Sequence, residues 1–202
     1  MISNTALVQH LIDNNSLKSS NIIEAFNNVD RADFVLDPVA PDVYEDYPLQ
    51  IGHGQTISQP TTVAMMLEML SPQKGDKILD IGSGSGWTTT LLSFIVGEKG
   101  SVTGLERVSE LVKFGAKNLK KYSFKNAKII QSSNRLGLVC EKFDRILVSA
   151  AANEFPSKLA EQLKHGGKLV IPVKNSIYEI TKADDKLEGV EHYGFSFVPL
   201  IN

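Results

Sequence analysis

The sequence lacks several features by which whole classes of protein are recognised. Its single cysteine, Cys140, cannot form a disulfide within the chain, which is typical of a reducing compartment. No apolar run approaches the roughly 18 residues that a membrane span requires. The first residues, Met1–Asn15, lack the basic start and apolar centre of a signal peptide. These absences predict a cytoplasmic protein without a membrane partner.

An excess of charge of one sign is also missing. The 21 basic and 23 acidic side chains leave a net charge of −2, so no overall attraction to nucleic acid is expected. Lysines do recur in the predicted helix Val108–Tyr122, but at a spacing more typical of a solvated face than of a nucleic-acid platform. We therefore expect no nucleic-acid partner, and we expect a monomer.

One stretch, Ile78–Trp87, organises the rest of the chain. Apolar residues and an acid are followed by three glycines at alternate positions, Gly82, Gly84 and Gly86, and then by a helical pattern. A dinucleotide fingerprint would require a third glycine where Trp87 stands, and no Gly-Lys-Ser/Thr follows to bind phosphate. The pattern predicts a ligand without phosphates, bound where the strand ends.

Two acids support a nucleoside-type ligand. Glu106 ends the next apolar run, Ser101–Glu106, where open α/β folds place the acid that binds the two ribose hydroxyls. Asp80, in front of the glycines, can face a cationic end of the ligand. The alternative, a glycine turn that only connects a strand to a helix, stays open.

Periodicity predicts alternating helices and strands, and hence an α/β fold with a mostly parallel sheet covered on both faces. The predicted helices are Thr5–Asn14, a second one from Ser20, Thr61–Leu70, Thr88–Val96, Val108–Tyr122 and Pro156–Leu163. The predicted strands are 78–81, Ser101–Glu106, Ala127–Gln131, Phe143–Ser149, Gly167–Val173, 177–181 and 195–200, the last two as a terminal antiparallel pair.

A long irregular segment, Asp37–Gln59, is predicted between the second and third helices. Loops of this length in a compact chain are usually functional or disordered, and its apolar content argues against disorder. Its end carries His53 and Ser58, which together could line a site that accepts an anion. The simpler alternatives are that His53 is a polar loop residue and that Ser58 caps the next helix. His165 is predicted to lie at a helix C-terminus.

Several blocks together resemble the protein-L-isoaspartate O-methyltransferases. The blocks are Tyr44–Gly52, Gly54–Pro60, Leu79–Gly86, Phe143–Ala152, Gln162–Lys164, Gly166–Val173 and Phe197–Leu200. The resemblance implies a single Rossmann-like class I methyltransferase domain, 1–202, with a seven-stranded sheet. Residues 1–60 would form N-terminal helices and a covering loop, and 61–202 the core. It also implies methyl transfer from S-adenosyl-L-methionine to the α-carboxylate of L-isoaspartyl and D-aspartyl residues in damaged proteins, which starts their repair.

The same resemblance implies the site. Ser58 would orient the substrate carboxylate, which is already ionised at neutral pH and needs no general base. Val198 would pair with the substrate peptide, and no metal-ligand spacing is present. The residues implied to bind the cofactor, which leaves as S-adenosyl-L-homocysteine, are Gln55, Thr56, Ile57, Ser58, Asp80, Ile81, Gly82, Ser83, Gly84, Gly86, Glu106 and Ser133.

One departure from the family pattern concerns the adenine end of the site. The family usually has Gly-Asp-Gly where this chain has Ser132-Ser133-Asn134. A neutral hydroxyl at Ser133 accepts a weaker hydrogen bond than a carboxylate, which predicts weaker cofactor affinity or a rearranged pocket. Two alternatives stay open at this point: a methyltransferase of the same scaffold acting on another carboxylate, and a non-catalytic cofactor-binding module.

Overall fold

A mostly parallel seven-stranded sheet forms the centre of the computed structural model. The structure describes residues 1–38, 40–133, 135–138, 140–184 and 186–200. The strands run in the order β5-β4-β3-β6-β7-β8-β9, and a separate two-stranded hairpin pairs β1 with β2. The strands are β1 (Leu49–Gly52), β2 (Gln55–Ile57), β3 (Lys77–Ile81), β4 (Ser101–Glu106), β5 (Ala127–Gln131), β6 (Phe143–Val148), β7 (Leu163–Val173), β8 (Ser176–Ala183) and β9 (Lys186–Tyr193).

Strands β3 to β7 are parallel, whereas β8 and β9 are antiparallel to their neighbours. The chain order reverses beside β3, which has β4 on one side and β6 on the other. Open α/β sheets bind ligands outside the carboxyl ends of the strands at such a switch point. The predicted glycine stretch follows β3 and therefore lies at this point.

The helices are unequally divided between the faces of the sheet. They are α1 (Asn4–Asp13), α2 (Ser20–Asn28), a 3₁₀ helix (Arg31–Phe34), α3 (Pro60–Leu70), α4 (Trp87–Val96), α5 (Ser109–Leu119) and α6 (Ser157–Ala160). Successive strand residues point to opposite faces, so that Ile78 packs among α1 to α5 and Leu79 packs on the other side, with α6 and loops. Both faces are apolar and buried, as predicted for a parallel sheet.

The prediction of a strand at 195–200 is wrong. The second antiparallel strand of the terminal pair is instead β9, and Asp185 lies outside the described residues. The apolar alternation at 195–200 has another cause, since Phe195 and Phe197 pack against the core and Val198 accepts a hydrogen bond from the amide of Ala151 at 2.8 Å. Strand β9 escaped prediction because its side chains are mostly exposed at the sheet edge.

The predicted helix Pro156–Leu163 is a single turn, α6, and β7 begins earlier than predicted, at Leu163. The chain leaves the helix because Gln162 turns to the sheet, where its carbonyl oxygen accepts from the amide of Phe143 at 2.8 Å. His165 therefore lies in β7 and not at a helix end, and its Nε2 is 2.9 Å from Asp184 Oδ1.

The segment Asp37–Gln59, predicted to be irregular, contains the hairpin of β1 and β2. Its turn consists of His53 and Gly54, with φ of 54° and 70°, which is the positive-φ geometry of a two-residue hairpin turn. The signal was present in the sequence as a glycine at the second turn position. We call Leu49–Ile57 the roof hairpin. None of the helices in the described ranges is long and apolar enough to cross a membrane.

Candidate active site at the carboxyl end of the sheet

A cavity of about 930 Å³, partly open to solvent, lies at the carboxyl ends of β3, β4 and β6. The residues after β3, β4, β5 and β6 form one side of it, and the roof hairpin and the residues 198–200 form the other. It is lined by Ile51, Gln55, Thr56, Ser58, Ile81, Gly82, Gly84, Leu105, Glu106, Arg107, Val108, Ser132, Ser133, Arg135, Leu136, Gly137, Ser149, Ala150, Val198, Pro199 and Leu200. The cavity thus collects residues from distant parts of the chain.

Most backbone amides of the glycine loop, Gly82–Gly86, donate hydrogen bonds to the protein itself. Gly82 and Ser83 donate to the carbonyl oxygen of Leu105 at 2.8 and 3.0 Å, and Gly84 donates to Glu106 Oε2 at 2.9 Å. A phosphate-binding loop presents such amides to its ligand instead. The geometry therefore gives a reason of its own, independent of the sequence pattern, why this loop does not hold a phosphate.

Glu106 connects the glycine loop to the end of β4. Besides the Gly84 amide on Oε2, its Oε1 accepts from the amides of Arg107 at 2.7 Å and Val108 at 2.9 Å. The side chain is 8% exposed and lines the cavity. A carboxylate has about four lone-pair positions, so with three amides bound one position, on Oε2, remains for a hydroxyl of a ligand.

Asp80 lies behind the cavity wall and does not line it. Its carboxyl group is fully buried, and Oδ2 accepts from the hydroxyls of Thr88 at 2.7 Å and Thr89 at 2.6 Å. Burial raises the pKa of Asp80 to about 6, against the lowering effect of the two threonines and with the charge of Glu106 raising it further. Asp80 joins β3 to the first turn of α4, and its Oδ1 is buried without a hydrogen-bond partner in the described structure.

The roof hairpin reaches across the cavity. Ile51 Cδ1 lies 3.3 Å from the position that a Cβ on Gly84 would take, so the roof rests on the glycine loop. At the tip, His53 lies near Glu110, whose pKa is lowered mainly by hydrogen bonds from the backbone amide of Glu110 and from the Ser109 hydroxyl. His53 itself is exposed and does not line the cavity, which agrees with the simpler interpretation of a polar loop residue.

Ser58 lines the cavity directly after the roof hairpin, and it does not cap α3. The N-cap residue is Gln59, whose side chain makes no capping bond. The cap comes from Asp46, whose Oδ1 accepts from the amide of Thr61 at 2.8 Å and whose Oδ2 accepts from the Thr61 hydroxyl at 2.8 Å. No partner within the described part of the chain binds the Ser58 hydroxyl, so it is available to a ligand.

The far end of the cavity is formed by the residues after β5. Ser133 lines it, and its Oγ accepts from the amide of Arg135 at 3.2 Å, while Asn134 lies outside the described residues. Val198 also lines the cavity, and its carbonyl oxygen already accepts from the amide of Ala151. A backbone pairing of Val198 with a peptide would use its remaining groups.

Most of the predicted site residues meet in this cavity, but not all. Gln55, Thr56, Ser58, Ile81, Gly82, Gly84, Glu106, Ser133 and Val198 line it. Ile57 and Ser83 line a smaller adjoining cavity of about 280 Å³. Gly86 reaches neither cavity; a Cβ there would lie 2.9 Å from the carbonyl oxygen of Gly115, so this glycine allows α5 to approach the loop.

Sequence reasoning missed Ser149 and Arg31. Ser149 follows β6 and, like Ser58, lines both cavities, and its position at a strand end was the signal that could have found it. Arg31 is bound to the carbonyl oxygen of Ser58 at 2.8 Å, and no local pattern predicts that contact.

The residues present fit a sulfonium nucleoside. Glu106 offers an acceptor to a ribose hydroxyl, and Ser58 and Ser83 both line the smaller adjoining cavity. The Ser83 Oγ is buried and has no hydrogen-bond partner in the described structure, so a polar ligand atom would satisfy it. The described residues include no group of three metal-ligating side chains placed to hold an ion.

The fold and the site define a class I S-adenosylmethionine-dependent methyltransferase. The seven-stranded sheet has its switch point beside β3, and the glycine loop is bonded to Glu106 instead of presenting its amides to a phosphate. The family model for protein-L-isoaspartate(D-aspartate) O-methyltransferase matches residues 2–202, and the chain belongs to that family. This membership confirms the fold, the cofactor and the enzyme activity that the sequence motifs predict.

Individual relatives agree with the family model. A protein-L-isoaspartate O-methyltransferase of Methanothrix thermoacetophila is 40% identical over 187 residues, 91% of this chain and 89% of that one. One from Fervidobacterium nodosum is 44% identical over 165 residues, 81% and 83% of the two chains. A Plasmodium falciparum structure assigned to the same activity, solved with S-adenosyl-L-homocysteine, superposes with a TM-score of 0.89 at 28% identity and covers 100% of this chain and 99% of that one.

Proposed function

We propose that Ser58 presents the α-carboxylate of an L-isoaspartyl or D-aspartyl residue to S-adenosyl-L-methionine held between the glycine loop and the roof hairpin. The observation that carries this proposal is the placement of Ser58. Its hydroxyl faces the same cavity as Gly82 and Glu106 and is free of structural bonds because Asp46 caps α3. The Ser58 hydroxyl can therefore hydrogen-bond to a ligand.

The reaction requires little acid–base or nucleophilic chemistry from the side chains of the protein. Bound S-adenosyl-L-methionine supplies an electrophilic methyl group and leaves as S-adenosyl-L-homocysteine. The accepting carboxylate is ionised at neutral pH, so no side chain has to remove a proton. The work of the protein is to hold the carboxylate in line, through the Ser58 hydroxyl and the peptide backbone near Val198, and to exclude water. Ser58 donates a hydrogen bond and forms no covalent bond.

We assign the cofactor-binding roles by place. Glu106 accepts from a ribose hydroxyl, Gly82 and Gly84 leave room for the nucleoside, and Gln55 and Thr56 cover it from the roof. The remaining predicted residues lie at different distances from the cofactor. Ile57 and Ser83 line the smaller cavity and Ile81 lines the larger one, whereas Asp80 and Gly86 line neither and support the glycine loop.

An assay with labelled cofactor and an isoaspartyl peptide tests the function. We expect base-labile methyl incorporation into this peptide and none into its normal aspartyl counterpart. Ser58→Ala should lower kcat about a hundredfold, as the loss of one positioned hydrogen bond does, and Ser58→Thr should recover part of it because it keeps the hydroxyl. Cofactor binding without any transfer would leave only a binding module, and transfer to a different carboxylate would support the other alternative.

Ser133 is proposed to take the position next to the adenine amino group that an acid occupies in the family pattern. Its Oγ already accepts from the Arg135 amide, which leaves one lone pair for the ligand. We expect Ser133→Asp to tighten cofactor binding about tenfold, since a charge-assisted bond is roughly twice as strong as a neutral one. An unchanged dissociation constant in titration calorimetry would remove this hypothesis.

We further propose that the chain works as a monomer in the cytoplasm, without nucleic acid, and that residues 1–60 and 61–202 fold as one unit. The last point is supported by the core cluster, in which Leu7 and Phe26 of the first part pack with Trp87 and Leu91 of the second. Sedimentation at micromolar concentration tests the monomer, and a single cooperative unfolding transition tests the one folding unit.

A further inference from the structure

Arg31 is a fully buried arginine in the 3₁₀ helix. Its guanidinium binds three points of the segment 43–58, which we call the covering segment. Its side chain is 0% exposed. Nε donates to the carbonyl oxygen of Val43 at 3.0 Å, Nη1 to that of Ser58 at 2.8 Å, and Nη2 to that of Tyr47 at 3.1 Å. The guanidinium is planar and rigid, so these three bonds fix the relative positions of three separate stretches of backbone.

The group remains charged in this environment. Burial lowers the pKa of Arg31 to about 10, and the nearby charge of Asp46 opposes that lowering. At neutral pH the side chain is therefore a cation whose hydrogen bonds go to carbonyl oxygens, and such charge-assisted bonds are stronger than neutral ones. An apolar residue in this place would remove the donor from all three carbonyl oxygens, of which that of Val43 is in a buried bond.

The same guanidinium connects the covering segment to the glycine loop. Its Cζ lies 4.9 Å from the ring centroid of Trp87, which is the first residue of α4 and directly follows Gly86. Trp87 is held in turn by Phe26, whose ring centroid is 5.6 Å away. Arg31 thus contacts Ser58 on one side and the helix that begins at the loop on the other.

The 3₁₀ helix that carries Arg31 is itself anchored. The hydroxyl of Tyr122, just beyond α5, donates to Asp33 Oδ2 at 2.8 Å and accepts from the amide of Asp30 at 2.9 Å. Lys121 adds a contact of 3.1 Å to Asp33 Oδ1. These bonds fix the base of Arg31 relative to the main sheet, because α5 packs on β4 and β5.

We propose that Arg31 is a positioning residue for methyl transfer: it sets the place of the Ser58 hydroxyl relative to the glycine loop. This inference rests on the proposed role of Ser58. The reaction depends on alignment, and a misplacement of about 1 Å can lower a rate about a hundredfold. Arg31 lines neither cavity, so it acts through Ser58 and contacts neither cofactor nor peptide.

The first test is Arg31→Lys, which keeps the charge but cannot span three carbonyl oxygens or stack on Trp87. We expect kcat to fall about tenfold or more, with the KM for the peptide and the calorimetric dissociation constant of the cofactor within about twofold. Phe143→Leu, a buried change on the other face of the sheet, is the control: it lowers the melting temperature without touching the roof hairpin or Ser58. Equal kcat losses in the two variants would overturn the inference.

The second test is a double-mutant cycle with Ser58→Ala. If Arg31 acts through the hydroxyl, Arg31→Lys has little further effect on kcat once the hydroxyl is gone, whereas two independent effects multiply. Multiplying effects would overturn the inference. If Arg31→Lys does not fold, Trp87→Leu removes the ring beneath the guanidinium and enters the same cycle with a smaller expected loss. A wild-type chain that methylates no isoaspartyl peptide overturns the proposed function as well, which separates the two failures.

Discussion

The two sides of the cavity are held in place in different ways. The floor, formed by the glycine loop and Glu106, is held together by hydrogen bonds to the end of the neighbouring strand β4, and the amides of Gly82, Ser83 and Gly84 are bonded before any ligand arrives. The roof, formed by Leu49–Ile57 and Ser58, is held from its base by Arg31 and by the Asp46 cap of α3. The floor depends on local sheet geometry, and the roof depends on residues brought from elsewhere in the chain.

This difference indicates a division of labour. A floor whose hydrogen bonds are already made needs no reorganisation to receive a nucleoside, which favours binding. A roof that touches the floor through Ile51 and is hydrogen-bonded at its base can place a serine hydroxyl and still admit a peptide. We therefore expect damage to the floor to affect stability and cofactor affinity, and damage to the base of the roof to affect the transfer step.

Gly86→Ala should have the largest effect, because it breaks the floor. The new Cβ would lie 2.9 Å from the Gly115 carbonyl oxygen and 3.0 Å from Ile129 Cδ1, and φ is 88°. Strain at positive φ and overpacking together should cost about 2 to 5 kcal/mol of unfolding free energy. Gly75→Ala is the matched control, with φ also 88° but nothing within 4 Å, and should cost about 1 to 2 kcal/mol. Urea denaturation gives both values, and equal losses would contradict this account of the floor.

Asp80→Asn should change how the floor responds to pH. The pKa of Asp80 is raised from 3.8 to about 6 by burial, so between these values the native chain holds a proton that the unfolded chain has lost. Stability from this group is therefore present below pH 4 and is lost as the pH rises through 6. The variant lacks this loss, and its stability relative to the wild type should rise by about 3 kcal/mol from pH 4 to pH 7.

The control for Asp80 is Asp144→Asn, where the sign is opposite. Burial alone would raise the pKa of Asp144, but the hydrogen bonds from Lys164 and from the amide of Lys77 outweigh it and lower the pKa. Asp144 therefore contributes stability at neutral pH that is lost as the pH falls, and the stability of its variant relative to the wild type should fall as the pH rises. Denaturant midpoints at four or five pH values distinguish the two trends, and a flat difference for Asp80→Asn would show that this carboxyl does not titrate in the window.

Sequence reasoning found the floor and only part of the roof. The bounds of β4 and β5 agree with prediction, because each is a short run around apolar residues that is visible locally, and Glu106 was found from its place at a strand end. The roof depends on contacts between residues far apart in the chain. The contact of Arg31 with Ser58 and the capping of α3 by Asp46 leave no periodic pattern, and the exposed strand β9 leaves a pattern that resembles a loop.

His53→Asn tests the tip of the roof and should have the smallest effect. His53 adopts φ of 54°, which asparagine tolerates better than histidine, so the variant should gain no more than about 1 kcal/mol of unfolding free energy. Lys174→Asn is the matched control, since Lys174 has the same φ of 54° in the two-residue turn between β7 and β8, away from the cavity. Because the roof is fixed at its base, cofactor affinity and kcat should stay at wild-type values in both variants. A tenfold loss of affinity in His53→Asn alone would show that the tip, and not only the base with Arg31, holds the roof over the cofactor.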